Sequence, residues 1–292
     1  MTKINSNLPA RSRPTDEPPK RPIHYRIDAS LLISGRGTPV KDATLIYIAS
    51  SDAYPRGLIT YAGATSNLPA LYADVIPTHH VTVLMPGLWD CHVHYFGSAT
   101  GDNEALAILP PALAVLRSAR DVAATLNAGF TSVREVGGWG VDFSKAIDEG
   151  YIPGPRIYSA GAPISQTAGH GDLHTIPLSV VKQRTNEFGG LPLELADGVE
   201  QAIAAVRKEI CRGAKVIKIC ATGGVGSRLD SPRTARFNHF ELEYMVDEAR
   251  RANLVVAAHA HGTRGIIAAL KTGVHTIEHG SYLNEEAIQL ML

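Results

Sequence analysis

From residue 85 onward, short apolar runs alternate with longer segments in which apolar residues recur every three or four positions. The first pattern is typical of strands buried on both faces, and the second is typical of amphipathic helices. We predict strands at residues 83–94, 131–136, 156–160, 216–221, 255–259 and 276–279. Strands that alternate with helices form parallel sheets, so the pattern predicts an α/β fold.

The helix predicted at residues 198–212 carries five apolar side chains on one face: Val199, Ala202, Ile203, Val206 and Ile210. Helix ends are marked by glycines that follow a helical run, at positions 129, 150, 213 and 273. These signals predict six βα units, the last of which ends with a helix at residues 284–292. The connection at residues 165–197 is long, so we expect a functional loop with some local structure. The pattern alone leaves both a doubly wound sheet and a barrel open.

The N-terminal part of the chain has a different character. Residues 1–22 contain five prolines and mixed charge, and we predict a disordered leader. Residues 23–84 contain short β-prone runs, at 43–49, 59–62 and 80–84, separated by Gly, Pro, Ser and Asp. We therefore predict a small β domain at residues 23–84 and an α/β domain at residues 85–292.

Composition narrows the functional classes. Lys plus Arg equals Asp plus Glu at 28 each, so the net charge gives no reason to expect a nucleic-acid partner. No run approaches the roughly 18 apolar residues of a membrane span. Three cysteines outside any CxxC pattern make a disulfide scaffold a poor fit. We expect a cytoplasmic protein. Twelve histidines point to metal or acid–base chemistry.

The histidines of interest lie at predicted strand ends. His92 and His94 end the strand PGLWDCHVH, and His259 and His261 end the strand VVAAHAH. Residues i and i+2 of a strand face the same side, so each pair presents two imidazoles to one space. His279 ends a third strand, TIEH. Neutral imidazole is the commonest protein metal ligand, and three such strand ends together predict a metal site.

A lysine within an apolar strand is the second chemical signal. Lys218 lies in KVIKIC, where a charged amine is costly unless it is paired. One interpretation is an ion pair with a neighbouring carboxylate. The other is that Lys218 faces the histidines, loses its proton and captures carbon dioxide as a carbamate that bridges two cations. Cys91, beside His92, should face the opposite side and lie in the core.

Five segments of this sequence resemble the binuclear amidohydrolase superfamily: MPGLWDCHVH, SQTAGHGD, GAKVIKICATGGVGS, AAHAHG and TIEHGSY. Within it they resemble the branch of imidazolonepropionase-related and Xaa-Pro dipeptidase-related enzymes, which includes ochratoxinase-like amidohydrolases of fungi. The resemblance runs from about residue 23 to the last residue. It implies a (β/α)8 TIM-type barrel with a small N-terminal β-sandwich.

The resemblance also implies roles for individual residues. His92 and His94 would bind the more buried of two metals, and His259 and His279 the more exposed one. Lys218, carboxylated on its side-chain nitrogen, would bridge them. Such a pair, about 3.5–4 Å apart, shares a hydroxide and polarises the scissile carbonyl. Nitrogen and oxygen ligands favour zinc, with manganese, iron and cobalt as alternatives.

Other polar residues near these motifs are weaker candidates. His261 shares a face with His259 and is a candidate catalytic group that contacts substrate or an anionic intermediate. His170, Tyr282 and Arg228 are candidate substrate-binding residues, and Arg233 shares the placement of Arg228. The predicted reaction is hydrolysis of an amide-type C–N bond in a dipeptide-like or N-acyl amino acid substrate. The alternatives are a mononuclear deaminase of the same superfamily and a metal-binding chain without activity.

Six βα units are fewer than the eight of a complete barrel. The aspartate that ends the eighth strand in the family has no counterpart after His279, since Glu285 and Glu286 lie at a helix start. We therefore expect an incomplete barrel that is inactive alone, and a homo-oligomer for the full-length protein.

Overall fold

A computed structural model describes residues 22–51, 53–99, 104–186, 190–227 and 229–292. The chain divides into two compact units, Met1–Pro86 and Gly87–Leu292. The predicted leader lies outside the described residues except for Pro22. Within the described ranges, no helix combines the length and the apolar character needed to cross a bilayer.

The N-terminal unit contains one four-stranded sheet. Its strands are β1 His24–Leu32, β2 Val40–Ile48, β3 Leu58–Ala64 and β4 Pro77–Leu84. The order is β3-β2-β1-β4, with antiparallel pairs except for the parallel pair β1–β4. The predicted β character is confirmed. The described residues of this unit contain no second sheet, so the sandwich stays a prediction.

The C-terminal unit is built from parallel strands. They are β5 Leu88–Tyr95, β6 Phe130–Gly138, β7 Arg156–Ser159, β8 Ile164–Ser165, β9 Glu194–Leu195, β10 Ile217–Cys220, β11 Val256–Ala260 and β12 Thr276–His279. The hydrogen-bonded orders are β5-β6-β7 and β12-β11-β10-β8-β9, and each described pair is parallel.

The strand predicted at residues 83–94 is wrong as a single element. It is divided between β4, which ends at Leu84, and β5, which begins at Leu88. Pro86 between them has no N–H to donate to a sheet, which is a physical reason for the interruption. Cys91 is exposed rather than in the core, because β5 lies at an edge of its sheet.

In the described part of the chain, seven α-helices connect or flank these strands. They are α1 Pro111–Asn127, α2 Gly140–Asp148, α3 Leu178–Asn186, α4 Val199–Arg212, α5 His239–Arg251, α6 Thr263–Lys271 and α7 Glu285–Met291. Gly213 adopts the left-handed conformation at the end of α4, with φ of 105°, as the sequence predicts. Asn238 begins α5 with a capping box to Glu241. The long connection at 165–197 contains α3 and β9, which confirms local structure there.

The main core of this unit explains why β10 can present Lys218. Ile217 and Ile219 are fully buried in a cluster with Val206 and Leu242 from the helices. Because side chains alternate along a strand, Lys218 points away from this cluster. The apolar face of β10 therefore anchors the strand against the core, and the opposite face of the strand lines a cavity.

Candidate metal centre

A cavity of about 670 Å³ lies at the C-terminal ends of the parallel strands. All five residues that the sequence analysis proposed as metal ligands line it, and so does His261: His92, His94, Lys218, His259, His261 and His279. They come from β5, β10, β11 and β12, except His261, which directly follows β11. The expected convergence of strand ends is thus present in the fold. Their role as ligands stays a prediction.

The imidazoles are packed closely together. Ring centroids are 5.2 Å apart for His92 and His94, and 4.8 Å apart for His92 and His279. His259 and His279 are also separated by 4.8 Å. The ring nitrogens offered by His259, His261 and His279 lie within 4.8 Å of one another. A single small cation, or two neighbouring ones, can be reached by nitrogens spaced in this way.

Hydrogen bonds leave one ring nitrogen of several histidines free for a ligand. His92 Nδ1 donates to Glu278 Oε2 at 2.7 Å, and His94 Nδ1 donates to the Gly137 carbonyl at 3.0 Å. His259 uses the other nitrogen, Nε2, to donate to the Gly223 carbonyl at 3.1 Å. An acceptor on one ring nitrogen fixes the proton there and leaves the other nitrogen unprotonated.

Burial disfavours the charged forms of His259 and Lys218. Burial lowers the pKa of His259, and the neighbouring His170 and Lys218 lower it further. Burial likewise lowers the pKa of the Lys218 amine. Lys218 is 3 % exposed, and none of the described residues forms an ion pair with it. The ion-pair interpretation of Lys218 therefore has no partner in the described part of the chain.

One acidic residue at this site was not among the residues predicted from the sequence. Glu278 is buried in β12, where it accepts hydrogen bonds from His92, Arg134 and Thr276. Burial alone opposes its ionisation, but these hydrogen bonds and the Arg134 charge lower the pKa of Glu278 to about 2. The sequence contained a signal for Glu278, because Glu278, like Lys218, is a charged residue within a predicted strand.

Residues 83–292 match the amidohydrolase family. This chain belongs to the amidohydrolase family. Ochratoxinase of Aspergillus niger is 44% identical over 275 residues, which cover 91% of this chain and 56% of that protein. The chain therefore spans about half the length of this curated relative.

Solved structures agree with this assignment. The crystal structure of A. niger ochratoxinase is 43% identical with a TM-score of 0.84, covering 92% of this chain and 63% of that one. A prolidase complexed with N-methylphosphonate-L-proline is 33% identical with a TM-score of 0.76, covering 92% of this chain and 64% of that one. These likenesses show that the amidohydrolase chain has a TIM-type α/β fold.

The remaining candidate residues differ in placement. His170 lines the cavity, and its ring stacks on that of His259 with centroids 4.0 Å apart. Its Nδ1 lies 2.9 Å from Ser227 Oγ, and burial is the main reason why the pKa of His170 is lowered to about 4. His170, in the loop at 165–197, thus contacts His259, one of the predicted metal ligands.

Tyr282 does not belong to the cavity lining. Its ring lies beneath the Arg233 guanidinium at 4.2 Å, and its backbone N–H donates to the His261 carbonyl. Tyr282 lies with Ser281 in the turn that follows β12. Its role in substrate binding therefore has no support from the geometry. Arg228 lies outside the described residues.

Burial does not divide the histidines into the two pairs that the sequence assigns to separate metals. His259 and His261 are buried, whereas His92 is half-buried and His94 and His279 are exposed. β5, which carries His92 and His94, is an edge strand, while β11 lies between two neighbours. His279 is further distinguished by φ of 75°, a left-handed conformation that is rare for a non-glycine residue. Such strain is found at functional sites.

Proposed function

We propose that this chain carries the active site of a metal-dependent hydrolase that cleaves an amide-type C–N bond of a small molecule. The observation that carries the proposal is the convergence of six histidines and one buried lysine on a single cavity. Amidohydrolase family membership supports the same reaction class. A cytoplasmic location and a homo-oligomeric full-length protein stay predictions.

The donor set fits divalent cations. His92 and His94 would hold one ion through their Nε2 atoms, because their Nδ1 atoms already donate to acceptors. His259 and His279 would hold a second, and Lys218, carboxylated on its nitrogen, would bridge both. Imidazole nitrogens and a carbamate suit zinc. Bound cations would lower the pKa of water and polarise the scissile carbonyl.

The chain's own residues would orient the substrate. His261 is buried in the cavity wall, and its Nδ1 lies 2.7 Å from Ser281 Oγ. When the serine hydroxyl donates to Nδ1, the other nitrogen, Nε2, carries the ring proton. His261 could then donate a hydrogen bond to a substrate oxygen that gains negative charge during hydrolysis.

We propose a dipeptide-like or N-acyl amino acid amide as substrate. A volume of about 670 Å³ lies within the range of cavities that enclose a drug-sized ligand. The similar solved proteins include an ochratoxinase and a prolidase with N-methylphosphonate-L-proline bound. Both names are consistent with a small substrate that contains an amide-type bond.

A second candidate is a mononuclear deaminase-type site. The cluster of His259, His261 and His279 favours it, since three nitrogens within 4.8 Å suit a single tetrahedral ion. Metal content distinguishes the binuclear hydrolase from the mononuclear deaminase, because the binuclear proposal requires two ions per chain. One ion per chain at saturation would contradict it.

The test is the metal content of the purified chain and hydrolysis of N-acyl amino acids and dipeptides by the full-length protein, before and after chelation. His259→Asn should lose metal and turnover. His239→Asn, an exposed histidine on α5, is the matched control and should lose neither. Bound metal without turnover of any substrate would favour the inactive metal-binding alternative.

A further inference from the structure

One arginine links strands that do not pair in a sheet. Arg134 on β6 donates to the Cys91 carbonyl at 2.8 Å, to Thr276 Oγ1 at 3.1 Å and to Glu278 Oε1 at 2.7 Å. Cys91 belongs to β5, whereas Thr276 and Glu278 belong to β12, in a different hydrogen-bonded sheet. The planar guanidinium therefore fixes Glu278 relative to the strand that carries His92.

The two oxygens of Glu278 have separate partners. Oε1 accepts from Arg134 and from Thr276 Oγ1, the latter at 2.8 Å. Oε2 faces His92 Nδ1 at 2.7 Å. The Glu278 side chain is 6 % exposed, so water contributes little to its solvation. A buried carboxylate accepts hydrogen bonds only, which requires that His92 carry its proton on Nδ1.

We propose that Arg134 and Glu278 are positioning residues that select the Nδ1-protonated tautomer of His92 and direct its Nε2 into the cavity. The inference rests on the proposed function in that the free Nε2 is the atom offered to a cation. A carboxylate acceptor also makes the imidazole a stronger ligand. His94 is held by a neutral carbonyl instead, so this control acts on His92 alone.

Glu278→Gln is the decisive substitution because its geometry predicts a reversed tautomer. Arg134 has donors only, so the glutamine oxygen must face the guanidinium. The glutamine NH2 group then faces His92 Nδ1 and donates to it. The ring proton moves to Nε2, where it blocks metal binding.

The first measurement is the tautomer of His92 in the metal-free chain, from nitrogen-15 chemical shifts assigned with a His92→Asn variant. The parent should show Nδ1–H and Glu278→Gln should show Nε2–H. Thr276→Val removes one donor to Glu278 and one acceptor of Arg134, and leaves the contacts of Glu278 with His92 and Arg134 in place. It should keep the parent tautomer.

The second measurement is zinc affinity by chelator competition. Glu278→Gln should weaken zinc binding by about 10- to 100-fold, the usual effect of losing a group that orients a ligand. Glu209→Gln, a fully buried carboxylate on α4 that accepts from the Ala162 N–H, is the distant control. It should change zinc affinity by less than about twofold, since an amide oxygen accepts the same bond.

The outcomes separate this inference from the proposed function. If the parent binds no zinc, the proposed function fails, and the His92 tautomer still decides the inference. An unchanged tautomer in Glu278→Gln, or unchanged zinc affinity in a parent that binds zinc, would overturn it. Should Glu278→Gln fail to fold, Glu278→Met replaces it. Methionine offers His92 Nδ1 no strong acceptor, so the preference for Nδ1–H should be lost, and a parent-like tautomer would overturn the inference.

Discussion

Replacing Lys218 with methionine should separate the stability of the C-terminal unit from its capacity to bind metal. Lys218 is 3 % exposed, and its amine has no ion-pair partner among the described residues. Methionine has a similar length and fills the same space without a polar group. The substitution therefore removes an amine that folding takes out of water without a protein partner.

The expected gain in stability is modest. A buried polar group without a hydrogen bond costs about 1–3 kcal/mol. The Lys218 amine borders the cavity, where water can reach it, so we take the lower end, about 1 kcal/mol. In a unit of this size that corresponds to a rise in Tm of about 2–4 °C for the metal-free protein.

Metal content should change in the opposite direction. Without the amine no carbamate forms, and bound zinc should fall from two ions per chain to one or none. Added formate or acetate should restore part of the metal in Lys218→Ala, because a small carboxylate can take the place of the carbamate. Two ions and full turnover in Lys218→Met would refute the reasoning.

The matched control is Lys215→Met, an exposed lysine two residues before β10. Its unfolding free energy should stay within about 0.5 kcal/mol of the parent, and its metal content should not change. A fall in metal content in both variants would show a general effect of methionine near β10 rather than loss of the bridging amine.

Three further predictions concern single side chains. Burial raises the pKa of Glu135 to about 7, so the folded state holds a proton that the unfolded state releases above pH 4.5. The free energy of unfolding should therefore fall by about 3 kcal/mol between pH 4.5 and 7. Denaturant titrations of Glu135→Gln should not show this fall with pH; an equal fall would contradict the assignment. Gly224→Ala places a Cβ 2.0 Å from His170 Nδ1 and should lower Tm, whereas Gly226→Ala meets nothing within 4 Å and should not. Asn238→Ala removes the cap of α5 and should destabilise the chain by about 1 kcal/mol in urea; no change would show that the cap is dispensable.

Sequence reasoning located the cavity because two simple periodicities determine it. Alternation along a strand places His92 with His94, and His259 with His261, on common faces. Parallel strands bring their C-terminal ends to one edge of a sheet, so Lys218 and His279, at the end of β12, join the two histidine pairs there. Neither step requires knowledge of which strands are neighbours. These residues were therefore predictable, and the structure places all of them around one cavity.

The partners of those residues were not predictable in the same way. Arg134 and Glu278 are 144 positions apart, and their contact depends on how β6 and β12 approach each other. Nothing in the sequence states that distance. Arg134 and Glu135 are adjacent in the sequence, yet their partners could not be read from it. The Arg134 side chain contacts Glu278, and the Glu135 side chain is buried against Ser159.

Glu135 and Glu278 also show that burial alone does not set the charge of a carboxyl group. Glu135 has Ser159 Oγ at 2.6 Å and backbone amides as donors, and burial dominates, so its pKa rises to about 7. Glu278 has a guanidinium and an imidazole as donors, and its pKa falls to about 2. A difference of this size separates a carboxyl that titrates near neutral pH from one that stays an anion. Glu278 therefore remains a pure acceptor wherever the neighbouring imidazoles are neutral, which is the state it needs to hold a proton on His92 Nδ1.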